Sequence, residues 1–316
     1  MEKPTKTTII VLNWNGWKDT LRCLESLLVV KEPVFEVLVV DNGSEDESVT
    51  KIQEFIDKNK DLYPVPYTLI ANKENLGFAG GNNIGIKIAY HKGAGYVLLL
   101  NNDTIVDPGF LKQMLDVMEK HHTIGLANPK IYRMKDNGEK TNQFWFAGAD
   151  INWLYTRGKH RFVNEMDSGQ LNGHEYVETG YATGGCLLIR RQILEEIHLM
   201  PEDYFLYYED AEWSLRAKKA GWLCAVIPAA KVWHKGAAST PERSVKYVRY
   251  HVRGGLFLCL RNAPFGKIIL AYLWSVPRAP WHAVKWLFLP EKRPFAAGVM
   301  LGIRDAWLHK VGEIKE

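Results

Sequence analysis

Apolar residues gather in short blocks at 8–12, 36–40, 67–70 and 96–100, and in the intervals 17–29, 46–57 and 81–90 they return every three or four positions. A block of four or five reads as a strand, whereas the wider spacing puts one apolar stripe on a helix. Strand and helix therefore alternate over the first hundred residues. That order builds a mainly parallel sheet of βα units, a Rossmann-like nucleotide-binding half. From 124 to 190 the periodicity weakens into Gly, Asn and aromatic residues, which predicts strands and loops shaping a second subsite. A helix is expected over 208–220, closed by Gly221, with short strands at 224–227 and 231–233.

Beyond Pro241 the pattern is helical and is punctuated by Pro264, Pro277, Pro280, Pro290 and Pro294. Arg261, Lys267, Arg278 and Lys285 interrupt it, so no stretch is long and apolar enough to span a bilayer. The expected architecture is α/β over 1–240, with a nucleotide-binding half to about 104 and an acceptor-binding half over 105–240. A helical appendage follows over 241–316.

Charge sharpens that division. Residues 1–240 hold 27 Lys and Arg against 31 Asp and Glu, whereas 241–316 hold 13 against 5. Trp274, Trp281, Trp286 and Trp307 lie in the same basic tail, and Lys246, Arg249 and Arg253 fall on one helical face. An amphipathic, basic, Trp-rich helical region of this kind is expected to lie on anionic lipid, the alternative being a helical layer packed on the body. The five-residue apolar run before Asn13 is too short for a signal-peptide core. Cys23, Cys186, Cys224 and Cys259 are too widely spaced for a zinc or redox motif, which suits a reducing compartment. The expected location is cytoplasmic, at the inner face of the cell membrane.

Several segments could carry chemistry. The block at 36–40 ends in Asp41, Asn42 and Gly43, where Asp41 could accept from a base or ribose, although Ser44 and Glu47 also have capping-box spacing around a common turn. Small residues at 75–83 precede a helix and could approach a phosphate or sugar, but no P-loop is present. The block at 96–100 ends in Asn101, Asn102 and Asp103, oxygen donors suited to a hard cation bridging to a diphosphate, or else a plain turn. Aromatic residues at 204–208 precede Glu209, Asp210 and Glu212. Apolar walls there could raise a carboxyl toward the general-base range, whereas acids at a helix start often only complement the helix dipole. His234 follows a short strand as a metal ligand or a structural histidine.

Taken in order, VLNWNG at 11–16, VDNGSED at 40–46, NLGFAGGNN at 75–83, LLLNNDT at 98–104, GGCLLIRR at 184–191 and FLYYEDAEWSLRAKKAGW at 205–222 resemble family 2 glycosyltransferases of the GT-A fold. The rhamnosyltransferase branch is the most similar, over roughly residues 7 to 240. The resemblance implies that Asp41 contacts the nucleoside beside Asn13 and Asn15, and that Asn75, Gly77, Asn82 and Asn102 line the nucleotide-sugar site. It makes Asp103 the last acid of a metal-binding Asp-x-Asp pattern, His234 a further metal ligand and Asp210 the catalytic base of an inverting displacement. Asn101 replaces the first acid of that pattern, a weaker ligand that leaves the site one charge short. Gly184, Gly185, Glu209, Glu212 and Trp213 are implied as acceptor or support residues. Mg²⁺ or Mn²⁺ is the implied cofactor and dTDP-L-rhamnose the favoured donor, with a lipid-linked or polysaccharide acceptor in cell-surface polysaccharide synthesis and no nucleic-acid partner. The alternatives are a UDP-linked hexose, N-acetylhexosamine or galactofuranose donor, a catalytically silent carbohydrate-binding relative, or a two-carboxylate glycoside hydrolase.

Overall fold

The computed structural model describes residues 6–60, 65–236 and 244–314, the side chains of 270, 272 and 274 excepted. Its first part alternates as the periodicity demands: β1 (Thr7–Asn13), α1 (Trp17–Leu27), β2 (Phe35–Asp41), α2 (Ser48–Asn59), β3 (Tyr67–Ala71), α3 (Gly77–His91) and β4 (Tyr96–Asn101). The four strands are parallel in the order β3-β2-β1-β4, with Ile10 opposite Leu38 on one side and Leu99 on the other. Ile9 and Val11 join one buried cluster while Ile10 and Leu12 join another, so apolar residues line both faces of the sheet. After β3 the order reverses to β4, and the resulting switch point between β1 and β4 opens a crevice at their carboxyl ends.

The chain continues through β5 (Thr104–Val106), α4 (Phe110–Lys120), β6 (Ile124–Met134), β7 (Lys140–Phe146), the hairpin β8 (Ala149–Asn152) and β9 (Arg157–His160), β10 (Val177–Glu178), β11 (Cys186–Arg190), α5 (Arg191–Ile197), α6 (Glu209–Lys219) and β12 (Leu223–His234). Strand β11 runs antiparallel between β4 and β6 and extends the same sheet. Three local readings change. Helix α3 starts at Gly77 rather than at 81, so the glycine-rich segment is its first turn and not a loop. The two strands expected at 224–227 and 231–233 are one, with a register shift between Ile227 and Lys231 where Pro228 has no N–H for the ladder. Strand β5 was not foreseen; it pairs with β12 and places Thr104 opposite His234.

Three helices follow, α7 (Val245–Asn262), α8 (Phe265–Phe288) and α9 (Arg293–Trp307). The boundary expected at 240/241 lies outside the described residues. Helices α7 and α9 pack closely because Gly298 and Gly302 have no side chains; a Cβ there would come within 2.7 Å of Val248 and of Val252 respectively. Val248, Phe257, Val299 and Ile303 share a core with Tyr204 of the body, so these helices are built onto the domain.

The basic face of α7 is corrected by this packing. Arg253 is buried and donates to the carbonyls of Tyr204 at 2.9 Å and Gly312 at 2.7 Å, and Arg249 bonds Asp305 at 2.5 Å. Both guanidiniums face inward to satisfy buried acceptors, so they cannot form the expected lipid-facing surface with Lys246. Exposed apolar side chains lie instead on α8, where Phe265, Ile269, Leu273, Val276, Val284 and Leu287 follow one another at helical spacing. Among the described residues, no helix is long and apolar enough to cross a membrane.

Candidate active site

At the end of β1, buried Asn13 donates to Asp41 at 2.7 Å and accepts from Thr20 at 2.6 Å. Ser44 adds two bonds to the Asp41 carboxylate, one from its hydroxyl at 2.6 Å and one from its amide at 3.0 Å. Asn15, in a left-handed turn at φ 49°, bridges to the same loop by accepting from the Glu45 amide at 2.8 Å. Asp41 is only 1% exposed, so its carboxylate braces the crevice floor. Asn75 accepts from Asn42 and from the Gly77 amide, both at 2.9 Å. Asn82, expected in a lining loop, is buried inside α3 and bonds the Phe78 carbonyl at 2.9 Å. Asn102 donates to Thr20 at 2.9 Å and likewise braces one wall.

Gly77 itself has φ 74°, and a Cβ there would come within 2.5 Å of the Phe205 carbonyl oxygen. Only glycine lets the first turn of α3 meet the aromatic segment before α6, where the Phe78 amide donates to Phe205 at 2.8 Å.

Asp103 and His234 meet across β5 and β12. Asp103 Oδ1 and His234 Nε2 are 2.9 Å apart, the Gly236 amide donates to Oδ2 at 3.1 Å, and the Asn101 amide nitrogen lies 3.3 Å from the same imidazole nitrogen. Burial pushes the Asp103 carboxyl up, but His234 and the amide outweigh it and hold the group below its ordinary range. Two ligand atoms about 3 Å apart match neighbouring positions around a cation with bonds of about 2.1 Å. Among the described residues no three His, Cys, Asp or Glu side chains form a metal cluster. The Asp103–His234 pair fits a divalent cation only if further oxygens come from elsewhere, and a substrate diphosphate is such a source.

Asp210 stands in the first turn of α6 after Phe205, Tyr207 and Tyr208, all at left-handed φ of 65°, 67° and 76°. Bulky residues rarely hold such angles, so this backbone is fixed by its surroundings to aim the helix start. The Gly184 amide donates to Asp210 Oδ2 at 2.9 Å and the Ala211 amide to Oδ1 at 2.7 Å. Burial raises the Asp210 pKa, opposed by these amides and by His160 of β9. Neighbouring Glu209 is buried, its Oε2 has no hydrogen-bond partner, and burial followed by the Asp210 charge pushes it well up. Asp210 accepts two amide bonds that oppose its burial, whereas Glu209 has only its own backbone amide against burial and the Asp210 charge.

Two adjacent glycines join the halves of the site. The Gly184 amide holds Asp210, while the Gly185 carbonyl accepts from the Asn101 amide at 3.0 Å. A Cβ on Gly184 would press within 2.8 Å of the Phe78 ring. Glu212 turns away from the crevice, bonded by Tyr204 at 2.5 Å and Arg216 at 2.6 Å and paired with Arg261 at 3.4 Å, so it fastens α6 to α7. Trp213 is fully buried, its indole donating to the His198 carbonyl at 2.9 Å, and acts as support. Sequence reasoning missed Trp145, whose ring meets His234 edge-on at 4.4 Å, and His160; the aromatic run 144–146 was the available signal.

An open α/β sheet whose strand order reverses between β1 and β4, with the Asp103–His234 pair just beyond the end of β4, has the GT-A architecture. Comparison with known proteins narrows the class. The sequence model described as "Glycosyl transferase family 2" matches residues 8–198, and the chain belongs to that family. It is 26% identical over 273 residues to N-acetylglucosaminyl-diphospho-decaprenol L-rhamnosyltransferase of Mycobacterium tuberculosis, covering 81% of this chain and 84% of the relative. It is also 26% identical to the dTDP-rhamnosyl transferase RfbF of Shigella flexneri, over 73% of this chain and 69% of that one. Among solved structures, the mannosyltransferase PcManGT of Pyrobaculum calidifontis, in complex with GDP-Man and Mn²⁺, superposes with a TM-score of 0.60 at 14% identity, covering 98% of this chain and 89% of the other. S. aureus TarS 1-349 in complex with UDP-GlcNAc gives 0.55 at 17% identity, covering 95% and 81%. These two likenesses establish the fold, and the sequence relatives make the chain rhamnosyltransferase-like.

Proposed function

We propose that this chain is an inverting, metal-dependent hexosyltransferase that moves L-rhamnose from dTDP-rhamnose to a lipid-linked saccharide at a membrane surface. The observation carrying the reading is Asp210, a half-buried carboxyl held by the Gly184 and Ala211 amides and joined through Gly184 and Gly185 to the Asn101 and Asp103 side of the crevice. Asp210 accepts the proton of the acceptor hydroxyl as that oxygen bonds the anomeric carbon. The bond from this carbon to the diphosphate breaks, and its electron pair leaves with the nucleoside diphosphate, inverting the centre. Asp103 and His234 would hold a Mg²⁺ or Mn²⁺ ion, which when bound neutralises charge on the leaving diphosphate. The mannosyltransferase bound to GDP-Man and Mn²⁺ supports a metal-assisted donor site, the two rhamnosyltransferase relatives support the sugar, and the mycobacterial one supports the lipid-linked acceptor.

The reading is tested by nucleoside diphosphate release from a panel of dTDP-, UDP- and GDP-sugars with a prenyl-diphosphate-linked acceptor sugar. We expect dTDP-rhamnose to give the highest kcat/KM; a UDP- or GDP-sugar that exceeds it replaces the donor, and the absence of turnover with any donor removes the enzyme reading.

The membrane surface is assigned to the outer face of α8, where Lys267 and Lys285 accompany the exposed apolar stripe and Lys292 and Arg293 follow the helix. Leu273→Glu combined with Phe288→Glu alters exposed positions only, so thermal stability should hold. Partition onto phosphatidylglycerol vesicles should fall by about 10–100-fold, the scale of losing one or two apolar side chains from lipid. Unchanged sedimentation with vesicles would remove α8 from the interface.

A further inference from the structure

Between the β8–β9 hairpin and the three terminal helices lies a cavity of about 220 Å³, outside the crevice already described. Arg157 at the start of β9 and Arg278 of α8 line one part of it, with His251 of α7 and Tyr208 beside them. Val252, Leu256, Ala271 and Ile303 form its apolar remainder. A smaller recess shares Leu256, Ala271 and Ser275 with it and runs on to Leu260 and Trp307, the latter exposed at the surface. Among the described residues no carboxylate lines either space.

The polar end brings two like charges together. The two guanidiniums repel one another, and burial together with the Arg157 charge pushes Arg278 below its ordinary range. Buried His251 Nε2 has no hydrogen-bond partner, and the ring stacks on Tyr207 with centroids 4.1 Å apart. Burial pushes that imidazole down to about 4, so the ring is neutral and can offer an N–H. A cavity that gathers like charges and an unsatisfied imidazole calls for an anion, and its apolar continuation calls for a hydrocarbon attached to that anion.

The cavity also has a fixed relation to the proposed base. Tyr208 lines it two residues before Asp210, and Arg157 lies three residues along β9 from His160, whose charge acts on Asp210. The backbone makes this closeness possible at Gly255, where a Cβ would come within 2.0 Å of the Thr156 carbonyl oxygen.

We propose that this cavity binds the phosphate or diphosphate of a prenyl-linked acceptor, with Arg157, Arg278 and His251 on the anion and the recess toward Trp307 taking the start of the chain. The inference rests on the lipid-linked acceptor reading, but its test needs no turnover. Binding of farnesyl diphosphate, inorganic diphosphate and farnesol to the full chain is measured calorimetrically with dTDP, UDP and Mg²⁺ in excess to fill the donor crevice. Farnesyl diphosphate should bind more tightly than either of the others. The double variant Arg157→Gln/Arg278→Gln should lose at least about tenfold in its affinity, the scale of a lost charge-assisted hydrogen bond, with Arg278→Lys losing less. Thermal melting establishes that each variant is folded, and Arg157→Gln alone, at an exposed position, serves if the double variant is not. Equal binding by the double variant, by farnesol or by inorganic diphosphate would overturn the proposal, the last by showing a site for free anions. Donor-panel failure with this binding intact would instead count against the proposed reaction.

Discussion

Asp210→Asn is expected to lower kcat by about 10²–10⁴-fold, the range of a positioned general base, while affinity for the nucleotide sugar is kept. The substitution is nearly isosteric but not silent. Gly184 and Ala211 both donate to the carboxylate, and an amide offers only one oxygen, so one of these N–H groups loses its acceptor at a cost of about 1–3 kcal/mol. Thermal melting must therefore accompany the kinetics. Glu209→Gln is the matching control, since burial and the Asp210 charge push that carboxyl well above its ordinary range and its amide should change kcat little. The wild-type enzyme should gain activity as pH rises through the Asp210 pKa, and burial places that limb above the ordinary value of about 3.9. A folded Asp210→Asn enzyme within about tenfold of wild type would assign the base elsewhere, because a lost general base should cost more.

The order of motifs singled out Asp210 and Asp103, because each follows a signal that is local in the chain. The first acid ends an aromatic run at the start of a helix, and the second ends an apolar strand. Relations across the chain had no such signal. Glu212 lies in the same helix turn as Asp210, yet only the fold shows that Arg261, 49 residues later, draws it out of the crevice. Arg253 illustrates the opposite error: helical spacing placed it on a basic stripe, but periodicity cannot say which side of a helix meets protein. The carbonyls of Tyr204 and Gly312 make that choice, and neither is visible in a local pattern. Asn82 was misplaced for a related reason, since a run of glycines suggests a loop although close packing on Leu12 and Ile10 asks for small residues within a helix.

Asp103→Ala should abolish the metal-dependent part of donor binding and lower kcat/KM by at least about 10²-fold, because it takes the one carboxylate from a site that already lacks the usual first acid. The geometry explains why this loss should exceed that of His234→Ala. Asp103 is fixed from three sides, by His234 at 2.9 Å, by the Gly236 amide at 3.1 Å and through its own carbonyl, which accepts from the Lys235 amide at 3.0 Å. Its charge is therefore delivered at one place, whereas a missing imidazole could be replaced by water on the cation. Asn101→Asp makes the complementary prediction: a second carboxylate beside His234 should tighten Mn²⁺ binding, so the concentration needed for half-maximal activity should fall. Nucleotide-sugar affinity measured with Mn²⁺ and with chelator separates the outcomes. If wild type and Asp103→Ala lose the same increment on chelation, the cation is held elsewhere and the Asp103–His234 contact is only a buried ion pair.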